Sequence, residues 1–257
     1  MGTFLFNSIV FGPVKSRRLG VSLGINLLPT NQKICSFDCI YCECGWTNSM
    51  TTSDFPSASQ VELSLESKLI AMKESGELPD VITFAGNGEP TLHPEFPIII
   101  DNTIALRNMY CPSAKIAVLS NSTLIQNINI FNSLLKVDQN ILKLDSVFPE
   151  TIEILNQPLF KVDISGLIDN LKRFSGRCTI QTLFVKGSFR GKTIDNTTDT
   201  EVNAWLKAIQ KIKPKDVMIY TIARETPTDT LHKIPLPTLL VIARKVERIG
   251  IKTQVSG

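Results

Sequence analysis

The sequence predicts an α/β protein in which a parallel sheet curls into an open, partial barrel. Apolar runs of strand length alternate about six times with longer segments whose apolar residues recur at helical spacing. Such alternation is typical of parallel strands joined by helices, and right-handed crossovers would curl the sheet. Six βα units are fewer than the eight of a closed barrel. We therefore expect a single (β/α)6 domain over residues 1–257, without linkers or repeats.

The predicted elements follow one another in a regular order. A short strand lies within residues 1–20, and later strands are predicted at 21–28, 80–85, 115–120, 141–145, 178–185, 216–222 and 251–255. Helices are predicted at 59–77, 96–109, 124–135, 151–155, 164–174, 200–212 and 236–249. The first of these has Val61, Leu65, Leu69 and Met72 at helical spacing. Residues 186–196 are polar and contain glycine, which predicts a loop.

The overall composition indicates a globular protein that remains in the cytoplasm. Hydrophobic residues make up 43% of the chain and charged residues 20%. No apolar run approaches the ~20 residues that span a bilayer, and the first residues lack the pattern of an export signal. Because thiols stay reduced in the cytoplasm, the six cysteines are expected to be ligands or core residues instead of disulfides.

Charge and histidine content narrow the classes of chemistry. The formal net charge of +3 is far from the basicity of a dedicated nucleic-acid-binding domain. The two histidines, His93 and His232, both lie in loop-like contexts near prolines. General acid–base catalysis by histidine therefore has little support, and chemistry carried by a cofactor fits better.

Three cysteines stand close together at the spacing C-x3-C-x2-C. They are Cys35, Cys39 and Cys42, with Tyr41 directly before the third. Soft sulfur ligands select iron–sulfur clusters, zinc or copper(I). Four thiolates would fill the usual coordination of a four-iron cluster, so three leave one iron open. A zinc loop completed by Cys44 or by a distant residue is the alternative.

This loop resembles the cluster-binding signature of the radical S-adenosylmethionine (radical SAM) enzymes. The segment Gly86-Asn87-Gly88-Glu89-Pro90 follows a predicted strand and is similar to the G-G-E-P-type motif of that family, with Asn87 as a departure from it. The segment Gly12-Pro13-Val14-Lys15-Ser16-Arg17-Arg18-Leu19-Gly20 resembles the start of one subgroup. That subgroup includes wyosine-forming tRNA enzymes and uncharacterised bacterial iron–sulfur oxidoreductases.

The resemblance implies a [4Fe–4S] cluster on Cys35, Cys39 and Cys42, with S-adenosylmethionine (SAM) on the open iron. It also implies that Tyr41 lies beside the adenine of SAM. The residues implied around the methionine ammonium of SAM are Gly86, Asn87, Gly88 and Glu89. Without the family context, the same glycines would indicate an ordinary βα turn, and Tyr41 would indicate packing under the loop.

Polar residues also end two later predicted strands. Asn121, between Ser120 and Ser122, and Asp145 could bind the ribose hydroxyls or the carboxylate of SAM. Helix N-caps are the alternative for these residue types. Gln181 and Tyr220 are weaker candidates for contacts with the substrate or adenine.

The remaining basic residues and cysteines carry less specific expectations. Lys15, Arg17 and Arg18 could contact a phosphate or carboxylate, or could be solvated loop charges. Cys44 is expected to be a bystander, and Cys111 and Cys178 are expected to pack in the core.

The resemblance implies a radical SAM enzyme of oxidoreductase or transferase type. A one-electron reductant such as a flavodoxin or ferredoxin would supply an electron to the cluster. The substrate is unidentified, with tRNA as one candidate. The alternatives are a glycyl-radical activase or other peptide-modifying radical enzyme, and a non-catalytic iron–sulfur or zinc protein.

Overall fold

The computed structural model describes residues 4–16, 19–48, 50 and 54–257, and its strands form two sheets. In chain order the strands are β1 (Val10–Ser16), β2 (Gly20–Ile25), β3 (Val81–Phe84), β4 (Lys115–Ser120), β5 (Gln139–Lys143), β6 (Thr179–Leu183), β7 (Val185–Phe189), β8 (Lys192–Asp195), β9 (Asp216–Tyr220), β10 (Leu231–Lys233) and β11 (Lys252–Ser256). The main sheet has eight strands in the order β1-β2-β3-β4-β5-β6-β9-β11. The small sheet has the order β10-β7-β8.

The main sheet is almost entirely parallel. From β2 to β11 each strand pairs in parallel with its neighbour, and only β1 runs antiparallel, against β2. Within the described residues the two edge strands, β1 and β11, do not pair with each other. The predicted α/β class with an open parallel sheet is therefore confirmed.

Helices connect the successive parallel strands. They are α1 (Ala58–Ser75), α2 (Phe96–Tyr110), α3 (Ile128–Lys136), α4 (Pro149–Leu155), α5 (Ile164–Lys172), α6 (Asp199–Ile212) and α7 (Leu236–Glu247), with a short 3-10 helix at Pro90–Leu92. The first helix begins with a capping box between Ser57 and Gln60 and ends at Gly76, whose φ is 74°. Six βα units thus precede the last strand, as the sequence pattern predicted.

The main hydrophobic core lies between these helices and the sheet. The apolar face of α1, with Val61, Leu65 and Leu69, is fully buried there. Trp205 of α6 lies in the same core, and its indole N–H donates to the Leu144 carbonyl at 3.2 Å. This packing fixes the carboxyl ends of the strands, where the exit loops begin. In the described part of the chain, no helix combines the length and apolarity needed to cross a bilayer.

Several element boundaries differ from the sequence prediction, among them those of α3 and β5. Helix α3 begins at Ile128, not at 124, because the Asn127 side chain accepts hydrogen bonds from the amides of Asn129 at 2.9 Å and Ile130 at 3.4 Å. Strand β5 covers Gln139–Lys143, two residues before the predicted 141–145. Asp145 therefore follows the strand in the exit loop.

The predicted loop at 186–196 is wrong, because these residues belong to the hairpin of β7 and β8. Val185, Ile194 and Leu231 face inward and pack in one apolar cluster with residues of the cysteine loop. Lys186, Arg190 and other polar side chains face solvent, which explains the polar composition. The small sheet thus covers one side of the cysteine loop.

Candidate functional site

The residues singled out in the sequence gather at the carboxyl-terminal edge of the parallel sheet. The cysteine loop follows β2, the Gly86–Pro90 segment follows β3, Asn121 follows β4 and Asp145 follows β5. Barrel enzymes build their active sites at this edge, from loops on successive strands. The structure therefore brings the predicted motifs together.

The cysteine loop and the glycine segment pair directly through their backbones. The Ile34 amide donates to the Asn87 carbonyl at 2.9 Å, and the Glu89 amide donates to the Ile34 carbonyl at 3.0 Å. Gly88 has a φ of 137°, and a β-carbon there would collide with the Ile34 carbonyl oxygen. A β-carbon at Gly86 would collide with the Asn26 side chain. Both glycines are thus required for the close approach of protein segments, whatever they contribute to a ligand.

Asn87 connects the glycine segment to earlier parts of the chain through hydrogen bonds. Its backbone amide donates to Asn26 Oδ1 at 2.9 Å. Its side chain accepts from the Phe6 amide at 2.8 Å and donates to the carbonyls of Phe6 and Pro29, each at 2.9 Å. The side chain is fully buried, so its implied contact with SAM remains a prediction that these bonds do not favour.

Glu89 joins the exit of β3 to the end of β4. Its carboxylate accepts from the Thr91 amide at 3.1 Å and hydroxyl at 2.5 Å, from the Ser120 hydroxyl at 2.8 Å and from the Asn121 amide at 2.6 Å. Burial raises the pKa of this carboxyl, and these donors oppose the shift. Glu89 therefore positions two loops of the site through four hydrogen bonds.

The three thiols lie in one partly buried loop, and N–H groups from this loop and from Asn156 donate to two of the sulfurs. The Phe37 amide donates to Cys35 Sγ at 3.4 Å, and the Asn156 amide nitrogen donates to Cys39 Sγ at 3.4 Å. Burial raises the pKa of both Cys35 and Cys39. The pKa of Cys42 is lowered to about 6 by the neighbouring Cys44 side chain and further by the Lys33 ammonium.

The three cysteine thiols have the chemistry that an iron–sulfur cluster needs, but they are not arranged as a preformed metal site. Across the residues that the structure describes, no three His, Cys, Asp or Glu side chains form a ready metal-binding group. Cys35, Cys39 and Cys42 nevertheless border the same apolar cluster, and three thiolates with N–H donors suit an iron–sulfur cluster. Their role as ligands remains a prediction.

Lys33 holds the ends of this loop together, and the sequence reasoning missed it. Its ammonium donates to Asp38 Oδ1 and to the Gly45 carbonyl, each at 2.8 Å, and Asp38 Oδ1 also accepts from the Thr47 amide at 2.8 Å. Burial alone would lower the pKa of Lys33, but attraction to Cys42 and Cys35 raises it. A lysine two residues before the first cysteine, with an aspartate between the cysteines, was the available signal.

A second polar cluster surrounds Tyr41. The Tyr41 hydroxyl donates to Asp145 Oδ2 in a short hydrogen bond, and the Lys143 ammonium donates to the Tyr41 oxygen at 2.7 Å. The same ammonium lies 3.4 Å from Asp145 Oδ2, and Asp145 Oδ1 accepts from the Leu183 amide at 2.9 Å. Burial alone would lower the pKa of Lys143, but attraction to Asp145, together with Tyr220 and Cys39, raises it. Lys143, which the sequence reasoning did not select, therefore places a protonated amine at the mouth.

Asn121 and Asp145 are not helix caps. Helix α3 is capped by Asn127, and α4 follows Phe148 without a side-chain cap. Asn121 instead turns toward the cysteine loop, where its amide nitrogen donates to Ser36 Oγ at 2.8 Å and to Cys35 Sγ at 3.5 Å. The N-cap alternative is therefore wrong for both residues, while their contact with SAM stays a prediction.

The weaker candidates are distributed around this site. Gln181 is buried on β6 as the register partner of Lys143, and Tyr220 ends β9. Cys44 is near the glycine segment, since its thiol donates to the Gly86 carbonyl at 3.3 Å. Arg17 and Arg18 lie outside the described residues, and Lys15 is exposed on β1.

The other residues considered in the sequence, His93, Cys111 and Cys178, have structural roles. His93 accepts from the Glu95 amide at 3.1 Å through Nδ1, and its Nε2 lies 2.7 Å from the Pro56 carbonyl oxygen. Cys111 and Cys178 are buried in the main core, as expected.

Comparison with curated proteins finds relatives that are longer than this chain. It is 30% identical over 226 residues to a protein named GTPase Obg from Brachyspira hyodysenteriae, covering 86% of the chain and 31% of that protein. A UPF0026 protein of Methanocaldococcus jannaschii is 35% identical over 185 residues, covering 69% and 54%. A UPF0026 protein of Helicobacter pylori (strain 26695) is 32% identical over 183 residues, covering 70% and 57%. The chain thus spans about a third to just over half of these relatives, and no family model matches it.

Solved structures with the same fold include radical SAM enzymes. A radical SAM methyltransferase from Sphaerobacter thermophilus superposes with a TM-score of 0.67 at 14% identity, covering 91% of this chain and 65% of that one. TYW1 with a lysine–pyruvate adduct gives 0.63 at 14% identity, covering 88% and 73%. SuiB of Streptococcus suis bound to S-adenosylmethionine gives 0.63 at 17% identity, covering 88% and 49%. The chain therefore has the fold of these radical SAM enzymes, with its cysteine loop at the mouth of the partial barrel.

Proposed function

We propose that the protein is a radical SAM enzyme that holds a [4Fe–4S] cluster on Cys35, Cys39 and Cys42 and binds S-adenosylmethionine beside it. The observation that carries this proposal is the direct pairing of Ile34 with Gly88. This pairing places the two motifs that the family would use side by side. The fold of the solved neighbours supports the same class.

When bound, the reduced cluster would supply one electron that cleaves SAM to methionine and a 5′-deoxyadenosyl radical, which abstracts a hydrogen atom from the substrate. The chain's own residues would position and shield that chemistry. Lys33 and Glu89 hold the loops in place. Tyr41 and Asp145, joined by their hydrogen bond, would stand beside the nucleoside.

The test begins with protein purified and reconstituted without oxygen. We expect about four iron and four sulfide per chain, and formation of 5′-deoxyadenosine from SAM after addition of dithionite. Cys35→Ala, Cys39→Ala and Cys42→Ala should each lose the cluster, whereas Cys111→Ala and Cys178→Ala should keep it. One equivalent of zinc without sulfide would instead support the zinc alternative and refute the proposal.

The GTPase name of one relative does not lead to a proposal for this chain. The segment from Gly187 to Thr193 has three residues between its glycines, whereas a phosphate-binding P-loop has four. It also lies in the hairpin of β7 and β8, not between a strand and a helix. We therefore do not propose GTPase activity for this chain.

Within this proposed function we propose tRNA as the substrate, and the surface of the small sheet supports it. Trp46 lies next to Phe189, with ring centroids 5.8 Å apart, and the Arg190 guanidinium is 5.0 Å from the Phe189 ring centre. Lys186 and Lys192 are exposed on the same hairpin. Aromatic rings and cations together suit single-stranded RNA, through base stacking and phosphate contacts. A peptide substrate, as for an activase, is the competing outcome.

A further inference from the structure

Asn156 is a buried side chain whose position is fixed by the cysteine loop itself. It directly follows α4, and its carbonyl accepts from the Asp38 amide at 2.9 Å. The preceding Leu155 carbonyl accepts from the Ile40 amide at 3.1 Å. With 1% of its surface exposed, Asn156 is buried against the loop and tied to it by these backbone hydrogen bonds.

The amide nitrogen of Asn156 has three acceptors within reach. It donates to Asp145 Oδ2 at 2.8 Å, and it lies 3.2 Å from the Tyr41 hydroxyl oxygen and 3.4 Å from Cys39 Sγ. An amide has two N–H groups. Because Asp145 Oδ2 and the Tyr41 oxygen are hydrogen-bonded to each other, one N–H serves these two neighbouring oxygens and the other is available to the Cys39 sulfur.

Asp145 does not depend on Asn156 for its hydrogen bonds. The Tyr41 hydroxyl, the Lys143 ammonium and the Leu183 amide all donate to its carboxylate. The distinctive contribution of Asn156 is therefore an N–H directed at the sulfur of Cys39. Asn121 makes the equivalent contact with Cys35 Sγ, at 3.5 Å.

We propose that Asn156 is a positioning residue that raises the reduction potential of the iron–sulfur cluster through its N–H to Cys39, and that Asn121 acts in the same way through Cys35. This inference rests on the proposed function. An added electron increases the negative charge on the cluster and its ligand sulfurs, so N–H donors stabilise the reduced form more than the oxidised form. Burial strengthens such a bond. The cluster thus accepts its electron more readily from a low-potential one-electron donor.

The test is a redox titration of reconstituted protein, followed by electron paramagnetic resonance of the reduced cluster. Asn156→Leu keeps a similar side-chain volume and removes the N–H. We expect a more negative midpoint potential in Asn156→Leu and in Asn121→Leu. The matched control is Asn140→Leu, because the buried Asn140 amide donates to the Leu134 carbonyl at 2.9 Å, away from the cysteine loop. Its potential should equal that of the wild type.

The outcomes separate this inference from the function on which it rests. Wild-type protein that assembles no iron–sulfur cluster overturns both. A normal wild-type cluster, with unshifted potentials in Asn156→Leu and Asn121→Leu at full iron content, overturns the inference alone. If Asn156→Leu does not assemble a cluster, Asn121→Leu decides: a more negative potential supports the role of N–H donors, and an unchanged one overturns it.

Discussion

Lys33 and Asp38 form a salt bridge of 2.8 Å that closes the cysteine loop from inside. The Lys33 side chain is 2% exposed and that of Asp38 is 18% exposed, so the lysine end of the pair is shielded from solvent. Because the ammonium also reaches the Gly45 carbonyl, one side chain joins the residues before and after all three thiols. The loop is thus held in shape by the protein's own charges.

Replacing Lys33 should therefore destabilise the protein before any cluster is added. In Lys33→Met we expect the free energy of unfolding to fall by about 3 kcal/mol, because a shielded charge loses its partner. Urea denaturation of the cluster-free protein measures this change. The control is Lys136→Met, whose pair with Asp101 is about half exposed on both sides and should cost at most about 0.5 kcal/mol. Equal losses in the two variants would contradict the role of Lys33.

The contact between Gly88 and Ile34 leads to a second prediction. Gly88→Ala forces a side chain into the left-handed region and against the Ile34 carbonyl, so we expect a loss of about 3 kcal/mol or more. Gly250→Ala is the control, because its φ is also positive, at 82°, but no atom lies near the added carbon. That variant should lose only about 1 kcal/mol.

The same pair of variants tests whether the two loops act as a unit. Because Gly88 touches the cysteine loop itself, iron content and SAM binding should both decline in Gly88→Ala and both remain in Gly250→Ala. Retention of full iron content together with lost SAM binding would show that the glycine segment serves the ligand alone.

The cysteines should differ sharply in reactivity toward iodoacetamide in cluster-free protein. The thiolate is the nucleophile, and the pKa of Cys42 is lowered to about 6. Its alkylation rate should rise between about pH 5 and 7 and then level off. Cys178 should stay unmodified, because burial raises the pKa of its thiol to about 12. Peptide mass spectrometry over this pH range follows both residues.

Two controls accompany this measurement. Unfolding in guanidinium should make Cys178 reactive, and reconstitution with iron and sulfide should protect Cys42. A Cys42 rate that still climbs between pH 8 and 9 would show an ordinary thiol and contradict the lowered pKa.

The sequence predicted the fold well because strand and helix patterns reflect burial. Strand β4 has the predicted bounds, and the ends of α2 and α6 fall within one residue of them. The hairpin of β7 and β8 was missed because its outer face is polar, and only packing against the cysteine loop reveals its strands. Long-range contacts explain other omissions. Lys143 and Asn156 matter through partners that no local spacing indicates, whereas Lys33 and its partner Asp38 are only five positions apart in the sequence.

If tRNA is the substrate, binding should depend on the cations of the hairpin. The triple variant Lys186→Ala, Arg190→Ala, Lys192→Ala should bind bulk tRNA more weakly. The slope of log K against log salt should also be less steep, by about 0.7 to 0.9 for each lost phosphate contact. SAM cleavage by dithionite without substrate should continue, because the three residues lie on the hairpin of β7 and β8, outside the cysteine and glycine segments. A fluorescence binding assay at two salt concentrations measures affinity and slope.

The matched control for RNA binding carries the same loss of charge at the opposite end of the barrel. Lys115 and Lys252 begin β4 and β11, Lys211 lies near the end of α6, and all three are exposed. Because that end faces away from the cysteine loop, their triple alanine variant should bind tRNA like the wild type. Equal weakening in both triple variants would indicate attraction to overall charge and not a binding surface. Absence of binding at low salt would refute the tRNA proposal and favour a peptide or small-molecule substrate.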